Sequence, residues 1–130
     1  MPAFGAYAQK AMLDWVFLGA VPTRPATNGV GLSLGAPSSL SMSEIGTASG
    51  YTVQTVGFGA AASPAGSVSN TNAMTFGPFS SAQSISGLVV KDTIATAGNM
   101  LAYGPLATAR TVAIGDSLVI ASAALTISLG

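Results

Sequence analysis

The sequence has no cysteine, no histidine, and only four basic and four acidic side chains in 130 residues. Without cysteine there are no disulfides, no thiolate nucleophile and no cysteine-based metal site. Without histidine the commonest general base and the commonest metal ligand are missing. An average chain of this length carries about 32 charged residues. A net charge of zero leaves no electrostatic footprint for nucleic acid or an anionic membrane. Long apolar runs are also absent. Residues 11–21 are interrupted by Asp14 and Gly19, and residues 118–129 by Ser122, Thr126 and Ser128, whereas a membrane-spanning helix needs about twenty apolar residues. Residues 1–9 have no basic segment of the kind that opens a signal peptide, so neither a leader nor a membrane span is expected. A membrane β-barrel would need more amphipathic strands than are visible.

What is present is apolar and small. Hydrophobic residues make up 49% and the mean hydropathy is +0.59, which is not the composition of a disordered chain. A folded monomer of this mass exposes about 6,200 Å², and eight charged groups cover little of it. An uncharged surface promotes association, and interface cores are depleted of charge. These features imply that much of the surface is buried against copies of the chain or other proteins. A secreted β-protein with a Ser/Thr-rich surface is the other reading of the same composition.

Residues 5–18 read as the only helix. Ala8, Ala11, Met12, Trp15 and Val16 repeat with helical spacing, Lys10 and Asp14 lie four apart, and Gly19 followed by Pro22 ends the pattern. The helix is apolar nearly all round, so it is expected to be covered on more than one side. Trp15 is expected on the face that closes the core, with Tyr7 and Phe17 turned to a neighbouring chain.

From residue 28 the period changes to two. Strands are expected at 28–35, 51–58, 68–76, 85–92, 99–104, 108–114, 117–121 and from 123 or 124 to 129, with a long loop at 36–50 and turns at 59–66, 96–98 and Gly115-Asp116. About eight short strands at this spacing, with one N-terminal α-helix, predict an all-β fold: a β-sandwich of jelly-roll type. The domain plan is a helix and arm at 1–22 and the β-sandwich at 23–130, one domain overall.

No residues assemble into a catalytic or cofactor-binding pattern. Asp14, Glu44, Asp92 and Asp116 fall on a helix, in a loop, at a strand end and in a turn, with nothing to pair any two as glycoside hydrolysis requires, so all four are expected to be solvated or to cap turns. Metal ligation is not expected either. The Gly29-Val30-Gly31 and Gly57-Phe58-Gly59 fragments do not open a helix, so they are not phosphate loops; they permit close backbone approach. The chain is therefore read as no enzyme, with no cofactor and no metal. Candidate assembly residues are Tyr7, Trp15 and Phe17 on the helix, and Arg24 and Arg110, the two arginines of an almost uncharged chain.

Three stretches together carry a resemblance: Gly50-Tyr51-Thr52-Val53-Gln54-Thr55-Val56-Gly57-Phe58; Gly98-Asn99-Met100-Leu101-Ala102-Tyr103-Gly104-Pro105-Leu106; and Val112-Ala113-Ile114-Gly115-Asp116-Ser117-Leu118, running on to Leu125-Thr126-Ile127-Ser128-Leu129. With the N-terminal helix, the chain resembles the small tail-fibre-like and decoration-type accessory proteins of tailed bacteriophages. The resemblance implies a structural role in the virion without enzymatic activity. The partners expected are further copies of the chain, with a homotrimer favoured, and other virion proteins such as the major capsid protein or tail components; nucleic acid and membrane are not expected. A capsid decoration (cement) or small head or tail appendage is the first expectation. A receptor- or carbohydrate-binding module of a tail fibre is the alternative, with Tyr51, Tyr103, Asn70 and Asn72 as candidate contacts.

Overall fold

The structure, a computed structural model, describes residues 3–46, 49–62, 66–95 and 97–128. The elements run β1 (Ala3–Phe4), α1 (Ala6–Leu18), β2 (Asn28–Ser33), β3 (Gln54–Val56), β4 (Ser67–Ser69), β5 (Met74–Phe76), β6 (Gln83–Lys91), β7 (Met100–Val112), β8 (Leu118–Ile120) and β9 (Thr126–Ser128). The protein is mostly β with one short helix, and every strand pair is antiparallel. Five strands form one sheet in the order β1-β7-β6-β2-β3; the other four pair as β4-β9 and β5-β8. Among the described residues the strands are thus not divided into the two four-stranded sheets expected of a jelly roll.

β6 and β2 form the centre of the large sheet. Their alternation places Val30, Leu32 and Val90 in a core shared with Tyr51, Phe76, Phe79 and Ile85. Partly buried Leu118, Ile120, Leu125 and Ile127, from the β8 and β9 segments, pack against that core.

Four expectations are corrected by the pairing. Residues 99–104 and 108–114 were expected as two strands separated by Pro105, but they form one, β7. Ile85 lies opposite Arg110 and Gly87 opposite Pro105, so residues 106–109 bulge out of the ladder. A proline is tolerated in a strand at such an irregularity. Residues 68–76 were expected as one strand but divide into β4 and β5, because Asn70 leaves the ladder to bond elsewhere. The Gly115-Asp116 turn forms, closed by a hydrogen bond from Ala113 N–H to Asp116 Oδ2 (2.9 Å), yet it does not make a hairpin with β7. Phe79 N–H donates to Asp116 O and Gly115 N–H to Phe79 O, and these bonds carry the chain away to pair β8 with β5. The strand expected at 51–58 shortens to β3, because Tyr51 is drawn into a side-chain network described below. Of the expected turns, residues 63–65 and Thr96 lie outside the described residues, as does Leu129 of the last expected strand.

Helix α1 forms where the spacing places it. Gly19 terminates it in the left-handed conformation (φ 70°), which only glycine adopts without cost. Its packing is not as expected: α1 has no buried residue. Ala8, Ala11 and Met12 are half-buried, while Trp15 is 56% exposed. Trp15 therefore does not close the core.

Candidate assembly surfaces

The five residues singled out from the sequence are all exposed. The first half of α1 lies beside Leu101 of β7 and the returning arm at Pro22–Pro25, a cleft lined by Tyr7, Ala8, Met12 and Arg24 among others. Among the described residues nothing covers the second half. Trp15, Val16, Phe17 and Leu18 form one full helical turn and are 56%, 63%, 77% and 77% exposed; Leu13 and Val21 are exposed beside them. An isolated helix of this length is marginal in water, and a run of large apolar groups bare on every side is a recognised mark of an interaction site. The structure thus brings Tyr7 and Arg24 to one cleft and leaves Trp15 and Phe17 on the open end of the same helix.

Arg110 lies elsewhere, on β7 just after the bulge. It borders a groove of about 460 Å³ formed where residues 106–108 stand away from β8, lined by Leu88, Leu106, Leu118 and Ile120. A neighbouring space of about 220 Å³ shares Leu88, Leu106, Ala107 and Ala124 with it and runs on toward Leu125 and Ile127. The two spaces adjoin between the large sheet and the segments carrying β8 and β9. Neither Arg24 nor Arg110 makes an ion pair among the described residues.

The residues considered for glycan contact do not assemble. Tyr51 is 1% exposed and stacks on Phe76 with ring centroids 6.0 Å apart. Asn70 is 2% exposed. Its Nδ2 donates to Asn72 O (2.7 Å) and Ala121 O (2.9 Å), and its Oδ1 accepts from Leu125 N–H (2.8 Å). Asn72 accepts from Gly57 N–H and donates to Thr55 O, fastening the chain after β4 to the β3 strand. Tyr103 is half-buried in β7. These side chains join chain segments, so no exposed aromatic-and-amide platform arises from them.

One cluster was not foreseen. Glu44, expected to be a solvated loop carboxylate, is mostly buried. Its Oε2 accepts from Lys91 Nζ (2.8 Å) and its Oε1 from Tyr51 Oη (2.6 Å). Tyr51 Oη in turn accepts from Leu32 N–H (3.0 Å), and Lys91 Nζ also donates to Ala95 O. Lys91 is fully buried. Burial pushes the Tyr51 hydroxyl well above the ordinary tyrosine range, and its hydrogen bond to Glu44 adds to the shift. Gly31 makes the room: a Cβ there would stand 2.7 Å from Tyr51 Oη and 2.8 Å from Glu44 Oε1. The close backbone approach expected of Gly29 and Gly31 is present at Gly29, where a Cβ would stand 2.5 Å from Thr93 O. The network has no solvent-facing nucleophile, and its groups are consumed by one another, as in a structural clamp.

Among the described residues no group of three or more acidic, cysteine or histidine side chains gathers, and no helix is long and apolar enough to cross a membrane. Over residues 3–128, nearly the whole chain, the sequence matches the family described as Podophage GP4 fiber I protein gp80. The chain belongs to this family. It is accordingly a virion component, a tail-fibre-like accessory protein of a phage, in agreement with the resemblance carried by its three sequence stretches. No curated protein matches the chain.

Proposed function

We propose that this fibre-family chain is a non-enzymatic structural subunit that self-associates through apolar surfaces and joins other virion proteins at the phage tail. The observation carrying this reading is the last turn of α1, where Trp15, Val16, Phe17 and Leu18 stand exposed together. A monomer that kept this turn in water would forgo the burial that stabilises most helices. The extent of the surface supports the same reading. The chain exposes 7176 Å², against about 6,200 Å² for a closed globule of its mass. Closed cyclic symmetry is the usual outcome for identical subunits, and three copies about a fibre axis is the favoured arrangement. Between capsid surface and tail, the fibre family favours the tail, so the cement role is the lesser of the two structural readings.

Attachment by apolar and neutral contacts has a salt signature. Purified particles should contain this chain and retain it through washes from low salt to 1 M salt, where the screening length falls to about 3 Å. Absence from particles, or release by moderate salt, would overturn the proposal.

A further inference from the structure

We infer that the open end of α1 from one copy seats in the apolar groove between β7 and β8 of the next copy, head to tail. The inference rests on the self-association reading above and assigns it two unlike surfaces.

The two surfaces match in shape and chemistry. The helix end is convex and carries Trp15, Phe17 and Leu18 without cover. The groove is concave, about 460 Å³ at its wider part, and its mainly apolar walls carry Leu88, Leu106, Leu118 and Ile120 beside Thr108 and Arg110. An aromatic side chain buries about 150–250 Å² in full, so the exposed parts of Trp15 and Phe17 supply a share of the roughly 800 Å² expected per partner, and Leu18 and Val16 add to it. Two helix ends packed on each other would leave the groove unfilled. Insertion of one into the other satisfies both.

Charge selects the same pairing. The C-terminus of a helix carries a partial negative charge and unpaired carbonyls. α1 has no basic residue in its last turn, and the backbone bonds of its cap, from Gly19 N–H and Ala20 N–H, both go to Asp14 O, a turn before the last carbonyls. Arg110 stands at the edge of the groove with no ion pair. A guanidinium at that edge meets the last carbonyls of an inserted helix. No carboxylate lines the groove to oppose them. Because the contact joins unlike surfaces, it propagates around a ring and closes if the rotation allows.

The absence of native cysteine permits a clean test by disulfide capture on the full chain. Phe17→Cys and Thr108→Cys are made separately, both at exposed positions, then mixed in equal amounts and oxidised. The expected product is a disulfide between the Phe17→Cys chain and the Thr108→Cys chain, in excess over either self-linked product. A dominant self-linked Phe17→Cys product would show helix-to-helix packing and overturn the inference. So would assembled protein that gives no mixed product, in which case self-association stands and only the assigned surfaces fall. A second measurement uses Phe17→Asp and Val119→Asp, again at exposed positions. Each alone should lose assembly at least tenfold in concentration. Mixed, they should form two-chain species, because one intact helix end meets one intact groove. A mixture that stays monomeric overturns the head-to-tail contact. A wild-type chain that is itself monomeric overturns this inference together with the reading on which it rests.

Discussion

Glu44 and Lys91, 47 positions apart, are joined at 2.8 Å in the interior, with the lysine fully buried. The pair ties the long loop after β2 to the last residue of β6, and Tyr51 completes it through the other carboxylate oxygen. Breaking a buried pair from one side leaves an uncompensated charge and costs about 3–5 kcal/mol, whereas replacing both partners is far milder. Chemical denaturation should therefore find Glu44→Gln and Lys91→Met each strongly destabilised. The double variant should lose less than the sum of the two, with a coupling of about 0.5–3 kcal/mol. Strict additivity would contradict a direct pair.

Tyr51 adds a pH signature. Its hydroxyl ionises less readily in the fold than in the unfolded chain, mainly through burial and then through its bond to Glu44. A tyrosine in the unfolded state ionises near pH 10. Above that pH the unfolded chain binds fewer protons than the folded one, so stability falls as pH rises. The contribution is fully present below about pH 10 and is lost above it. Tyr51→Phe should lower stability at neutral pH and flatten the decline above pH 10 relative to wild type. An unchanged slope would show that Tyr51 is not held neutral by its surroundings.

Asn70 offers a sharper polarity test. Its amide nitrogen donates to two carbonyls and its oxygen accepts one N–H; its own backbone bonds Leu125 and Ala123. Asp has almost the same shape but presents an acceptor where two carbonyl oxygens already point. Asn70→Ala should cost about 3 kcal/mol through lost and unpaired hydrogen bonds. Asn70→Asp should cost more at neutral pH and recover part of the loss when acidified. An Asp variant as stable as wild type would contradict the assigned amide orientation.

Local chemistry made much of this legible in the sequence. The 3.6-residue spacing and Gly19 place α1, and alternation places β2 and β6, because short-range geometry decides both. The paired burial of Met74 and Phe76 follows from the same alternation. What escaped depends on distant partners. Nothing between Ser43 and Ile45 signals that Glu44 meets Lys91, except that Gly29 and Gly31 strip one face of β2 of side chains. Such a bare face within a strand is a cue that another group occupies the space. The split at Asn70 was hidden because all but one of its side-chain partners lie beyond residue 120. The division of strands between the sheet and the two ladders was hidden because β8 follows β7 in sequence yet pairs with β5. Of the assembly candidates, Tyr7 and Phe17, expected to face a neighbouring chain, stand exposed on α1. Periodicity misplaced Trp15, because the last turn of α1 has no sheet beneath it.

That placement decides what Trp15 does. A core tryptophan replaced by alanine costs about 3–5 kcal/mol; an exposed one changes stability by about 0.5 kcal/mol or less. Trp15→Ala should leave the unfolding midpoint of the dispersed chain and its β-sheet circular dichroism near wild type while weakening assembly. A core-sized loss of stability would contradict the exposed placement.

On the proposed reading, apolar surface left open by a single chain is closed by other copies. The most direct measurement is the mass of the purified full chain by multi-angle light scattering, taken at low and at high salt. The expected mass is a discrete multiple of 12.7 kDa, three copies favoured, and the same in both conditions. A particle of 12.7 kDa that persists at high protein concentration, or an oligomer that salt dissolves, would contradict it.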